Sequence, residues 1–226
     1  MLVGSAIQGV AGFGSNLFAA PLLVIVDPDL VPGPLIIAAV ALNVLILGAN
    51  RGTNPWRTMA WANVGQVFGG VAGALVLGAI AADQLSMFFA VMILAAVALG
   101  ASGFAPHRTP RTMAAAGALS GFMGTSVGIG GPAIALVQAG SEGDELRAAL
   151  SRFFLLGTVV SLLALTAVGR FGWEDLATGL LLVPGTVAGY LLSRPLAPRV
   201  NRRTLRVVVL VLSSVAAAVA LLRALL

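Results

Sequence analysis

GVAGFGSNLFAAP (Gly9–Pro21) and GFMGTSVGIGGP (Gly121–Pro132) decide the fold. Each sets glycines and small polar residues inside strongly apolar sequence, and each closes on a proline. Glycine and proline both weaken a helix. Yet the two stretches stand in matching places, about half a chain apart, where apolar sequence needs its best helix formers.

Their surroundings say why that matters. Of the 226 residues, 59% are hydrophobic and only 9% are charged. The mean hydropathy is +1.03. A soluble domain carries roughly 25% charged residues, so this chain cannot cover a globular surface with polar groups. It reads as an integral membrane protein. No cysteine is present, which excludes disulfides and thiolate metal sites. The net charge is +5, and every basic residue is arginine. In a soluble protein that excess points to nucleic acid; here it reads as positive-inside loops. No nucleic-acid partner is expected. No basic region precedes the first apolar stretch, so no cleavable signal peptide is expected.

Eight apolar segments follow along the chain, at roughly 2–26, 30–49, 58–81, 85–104, 113–139, 146–168, 175–193 and 205–226. Each is near the roughly 20 residues that cross the hydrocarbon as a helix. The separators, among them DPDLVPGP, NRGTNPWR and APHRTPR, are polar and turn-forming.

The two halves resemble each other. Gly9 aligns with Gly121 and Pro21 with Pro132, Val71–Gly73 with Val187–Gly189, and Ala95–Leu99 with Ala217–Leu221. Their common order predicts one membrane domain, 1–226, built from two four-segment repeats, 2–104 and 113–226. The arginines suggest how the repeats are oriented. If all eight segments cross, the arginines divide seven against six and give no orientation. If the first and fifth segments dip in and return, eleven share one side and only Arg170 and Arg223 lie opposite. The positive-inside rule favours the second arrangement. The expected fold is therefore an all-α polytopic protein of the cell inner (plasma) membrane. Its repeats are inverted, each opens with a broken or re-entrant glycine-rich segment, and both termini lie outside the cytoplasm.

Non-helical backbone at membrane depth is tolerated only where protein or a water-filled cavity satisfies its polar groups. Glycine also lets backbone turn sharply and approach a ligand closely, and half-helix N-termini favour anions. Two matched breaks predict one anion site between them. Its candidate residues are Gly12, Gly14, Ser15 and Asn16 in the first break. In the second they are Thr125, Ser126, Gly128, Gly130 and Gly131. Read singly, each glycine is better explained by close helix packing; the matched clusters favour the site. Arg152, inside the sixth segment, is costly in a bilayer and carries a fork of donors suited to sulfonate or carboxylate oxygens. It is equally readable as a side chain reaching for the membrane surface. Asn43 occupies a comparable place in the second segment. Gln8, Ser120 and Gln138 read first as hydrogen bonds between helices and second as cavity lining.

The paired GxxGxG…P and GxxGxxxGxGGP segments, each followed by three apolar segments, resemble the TauE/SafE family of sulfite and organosulfonate exporters. The resemblance covers nearly the whole chain. It implies permeation of small sulfur-containing anions such as sulfite, sulfonates or thiosulfate. The first motif departs from the second: GFGSN stands where GIGGP has a double glycine.

Other features limit the chemistry. Asp27, Asp29, Asp83, Glu142, Asp144, Glu145, Glu174 and Asp175 all sit at loops or segment ends. That arrangement favours a uniporter over a carboxylate-based proton antiporter. His107 lies in a basic loop, so neither a membrane Ser/His protease nor a metal site is expected. GFGSN and GIGGP lack the spacing and acidic partner of a dinucleotide fingerprint. No enzyme activity and no cofactor are expected. Gly65, Gly69 and Gly73 stand at four-residue spacing, and Gly185 and Gly189 repeat it. Such faces suit a compact bundle or a homodimer. The competing class is a non-transport membrane scaffold or assembly factor held together by the same faces.

Overall fold

The first and fifth apolar segments are each split in two. In the computed structural model, residues 1–11, 14–49, 56–104, 106–138, 144–196, 200 and 202–225 are described. The first segment forms α1 (Leu2–Ala11) and α2 (Ser15–Val26), and the fifth forms α6 (Pro110–Val127) and α7 (Gly131–Val137). The other segments are single helices: α3 (Gly33–Ala49), α4 (Trp56–Ala79), α5 (Leu85–Ala101), α8 (Asp144–Ala167), α9 (Trp173–Leu196) and α10 (Arg202–Leu225). Two short 3₁₀ turns, Pro28–Leu30 and Ala82–Gln84, precede α3 and α5. The described residues are thus all-helical.

Among the described residues, five stretches are long and apolar enough to cross a membrane: Pro28–Ala49, Met59–Ala79, Ala82–Ala101, Leu146–Ala167 and Trp173–Pro195. Ser15–Val26 and Val207–Arg223 are shorter apolar helices. Large apolar side chains also face outward, for example Phe68 on α4 (73% exposed) and Leu181 on α9 (80% exposed). In water such a surface would be an aggregation liability; against lipid tails it is the stable arrangement.

Helix contacts follow the glycines. The largest is α4 along α6. A Cβ on Gly65 or Gly69 would overlap the carbonyl oxygen of Ala114 or Ala118, and one on Gly73 would lie 2.6 Å from that of Phe122. From the other side, a Cβ on Gly117 or Gly121 would overlap the carbonyl oxygen of Ala62 or Gln66. The expected four-residue glycine face is therefore used inside the chain, letting two backbones touch. Gly189 on α9 meets the Leu2 carbonyl of α1 in the same way, while Gly185 stands looser, 3.7 Å from Leu2 N. Beyond these pairs, α3 packs on α8 and α9, α4 on α8, α5 on α10 and α7, and α2 on α10 and α5.

Candidate functional site

α1 ends at Ala11, and the chain re-enters helix through Gly14, whose φ of 107° lies in the left-handed region open to glycine. The first N–H groups of α2 have no partner within the helix. One of them, on Ser15, is taken by the side chain of Gln8, whose Oε1 accepts it at 3.3 Å. Gln8 Nε2 donates to Asn43 Oδ1 at 3.4 Å, and Asn43 Nδ2 donates to the Ala39 carbonyl at 2.8 Å. A polar thread thus runs from the first break into α3.

The second break is a glycine-terminated helix end. Gly128 takes φ 74°, and Ile129 N–H reaches back to the Met123 carbonyl at 3.1 Å. That closure satisfies a carbonyl left over at the end of α6. Ser120 Oγ donates to the Gly130 carbonyl. Thr125 Oγ1 and Ser161 Oγ share a hydrogen bond of 2.6 Å, which ties α6 to α8.

The two breaks are joined directly. Asn16 Nδ2 donates to the Gly128 carbonyl at 2.8 Å. Beside this bond lies a cavity of about 70 Å³, about twice the volume a water takes in the liquid. Four amide side chains line it, from Gln8, Asn16, Asn43 and Gln66, with the hydroxyls of Ser120, Thr158 and Ser161. Glycines 14, 121, 124, 128, 130, 131 and 157 form much of the remaining wall. Every lining residue is electrically neutral. Such a wall can hydrogen-bond a small polar solute in a low-dielectric setting, where those bonds are stronger than in water. Among the described residues no group of His, Cys, Asp and Glu could hold a metal ion.

The structure brings Gly14, Asn16, Asn43, Gly128, Gly130 and Gly131 to one cavity. Gly12 lies outside the described residues. Ser15, Thr125 and Ser126 are fully buried but do not line the cavity. Thr125 braces Ser161, and Ser126 Oγ donates to the Phe122 carbonyl at 2.7 Å. Arg152 is half-buried on α8 and is not in the lining. Helix geometry gives the reason: at about 100° per residue, Phe154, Gly157, Thr158 and Ser161 lie about 140–240° round from it.

Gln66, Gly157, Thr158 and Ser161 were not among the sequence candidates. Gln66 stands next to Gly65 on α4, in a stretch whose glycine spacing reads as helix packing. It is nonetheless an amide 3% exposed in the midst of an apolar span, and it lines the cavity. Gly157, Thr158 and Ser161 repeat at one-turn spacing in LLGTVVS, a small polar stripe visible in the sequence. Of the polar residues read first as helix-joining, Gln8 and Ser120 line the cavity, whereas Gln138 Nε2 contacts Met59 Sδ at 3.0 Å.

Set beside known proteins, the chain matches one family along almost its whole length. The sequence model described as Sulfite exporter TauE/SafE covers residues 1–220. Comparisons with curated proteins and with solved structures return no match.

Proposed function

The chain belongs to the sulfite exporter TauE/SafE family, and from that premise we propose that it is a permease for small sulfur-containing anions. Sulfite, sulfonates and thiosulfate are the candidates, held between the two helix breaks. The observation that carries this reading is the uncharged cavity beside the Asn16–Gly128 bond, where amides and hydroxyls are set into a mostly apolar wall. Its volume suits an anion of a few heavy atoms, and amides and hydroxyls are arranged around it. The family does not favour the scaffold reading.

The mechanism is alternating access by two inverted four-segment units, α1–α5 and α6–α10. Support comes from exchanging the units one helix for another. The α4–α6 contact then becomes α9–α1, α3–α9 becomes α8–α4, and α2–α10 becomes α7–α5, all of which exist. The α3–α8 and α5–α10 contacts map onto themselves, as contacts across a two-fold axis do. The α2–α5 and α6–α8 contacts are more extensive than their counterparts. Two arginines obey the same exchange. Arg108, after α5, donates to the Val137 carbonyl at the end of α7 at 3.0 Å. Arg223, in α10, donates to the Ile25 carbonyl at the end of α2 at 3.2 Å. Each cation sits where a helix end is negative. With an inverted arrangement in the plasma membrane, the two lie on opposite sides, as the positive-inside count requires.

The test is efflux of sulfite and methanesulfonate from preloaded proteoliposomes. A Cβ on Gly130 would stand 2.9 Å from the Ser120 carbonyl oxygen, so Gly130→Leu fills the cavity wall. Saturable efflux from wild-type vesicles, lost in a correctly inserted Gly130→Leu, is the expected result. Equal efflux from both would remove this cavity from the transport path.

A further inference from the structure

Resting on that transport reading, we propose that the cavity admits only singly charged oxyanions, so that sulfite crosses as hydrogen sulfite with its proton, sulfonates remain candidates, and thiosulfate, a dianion at neutral pH, is dropped from them. The first support is electrostatic. Among the described residues, none that lines the cavity carries a charge. The charged side chains described on the surrounding helices lie elsewhere: Arg111 at the start of α6, Arg147 and Arg152 on α8, Glu174, Asp175 and Arg194 towards the ends of α9, and Arg223 on α10. The one tyrosine, Tyr190 on α9, is also outside the lining. The cost of burying an ion grows as the square of its charge, so a dianion is penalised about four times as heavily as a monoanion in the same site.

The second support is the sense of the hydrogen bonds. Asn16 Oδ1 and Gln66 Oε1 are buried without a hydrogen-bond partner. The Asn16 amide is oriented by its own bond, because the Gly128 carbonyl can only accept and so fixes Nδ2 towards it. Oδ1 is therefore an acceptor that needs a donor. Hydrogen sulfite offers an O–H; the sulfite dianion offers none and would set lone pairs against lone pairs. Other donors of the wall are already engaged with backbone carbonyls: Asn43 with Ala39, Ser120 with Gly130 and Thr158 with Leu155.

Sulfite loses its second proton near neutral pH, so both species are present on each side of the membrane. Each hydrogen sulfite carried removes one proton from the compartment it leaves, and the sulfite left behind takes up a proton to restore the equilibrium. Flux then responds to pH although no carboxylate lines the cavity.

The experiment is sulfite efflux from proteoliposomes at equal internal and external pH, with a trapped pH dye, clamped membrane potential and protein-free vesicles subtracted. Methanesulfonate, singly charged throughout this range, is run in parallel. The expected result is an alkaline shift in the lumen. At fixed total sulfite, the rate should fall about tenfold per pH unit on the alkaline side, with no such fall for methanesulfonate. An acid shift, or a rate that rises with pH, would show the dianion moving and overturn it. A parallel fall for methanesulfonate would place the titration in the protein and overturn it as well. Absence of protein-dependent efflux of either anion at every pH would instead overturn the transport reading beneath it.

Discussion

Asn16, in the first turn of α2, donates its side-chain amide to the carbonyl oxygen of Gly128, which closes α6, at 2.8 Å. One hydrogen bond thus joins two helix breaks that lie 112 residues apart. It also leaves Asn16 Oδ1 buried without a protein donor, on a residue that lines the cavity. A rocking motion of one half against the other has to keep or break this bond, so its removal should be felt in flux before it is felt in folding.

Asn16→Ala removes a hydrogen bond worth about 1 kcal/mol. For a chain of this size that corresponds to a fall in melting temperature of about 2–4 °C. Sulfite flux should fall by more than this loss explains. Asn16→Asp should be worse than Asn16→Ala, because a carboxylate would then face the Gly128 carbonyl. Thermal melts in detergent and flux in vesicles check both.

The break glycines differ from those that merely sit in helices. Gly14 and Gly128 hold φ of 107° and 74°, and a side chain in the left-handed region costs roughly 1–2 kcal/mol. At Gly128 a Cβ would also stand 2.9 Å from Leu35 Cδ2. Gly128→Ala should therefore lose stability and flux together. Gly48→Ala is the matched control, since nothing lies within 4 Å of its added Cβ. It should melt like the wild type.

Residues that line the cavity should separate from those that do not in KM. Gln66→Leu is expected to raise the KM for sulfite, by about tenfold for one lost hydrogen bond to an ion. A Cβ on Gly157 would overlap the Gln66 amide, so Gly157→Ala should shift KM in the same direction by displacing it. Arg152→Gln, on the far face of α8, should leave KM unchanged. Initial rates over a range of sulfite concentrations check all three.

Much of this arrangement was legible in the sequence, and for physical reasons. Membrane helices must be apolar for about 20 residues, so the segments announce themselves. Breaks need glycine, so Gly14, Gly128 and Gly130 stood out. What the sequence could not place was the rotation of α8 about its axis. Arg152 looked functional because buried charge is rare, yet the wheel turns it away from Thr158 and Ser161. Ser15, Thr125 and Ser126 looked like ligands because of their types, but side-chain type alone cannot say whether a hydroxyl faces a cavity or its own helix. Gln66 was hidden by the glycines around it, which already had a packing explanation.

The proposed inverted arrangement predicts which loops share a side. The chain has no cysteine, so single-cysteine variants label without background. His107 and Trp173 are both exposed. An impermeant thiol reagent added outside intact cells should modify Trp173→Cys and spare His107→Cys. Labelling of both from outside would contradict the inversion.

The central claim is that a small oxyanion sits between the two breaks, and selenite, the heavier analogue of sulfite, tests it most directly. Crystals of transport-active protein soaked in selenite should give an anomalous selenium peak inside the cavity, within hydrogen-bond reach of Asn16 and Gln66. A peak elsewhere in the bundle, with the cavity free of selenium, would contradict it.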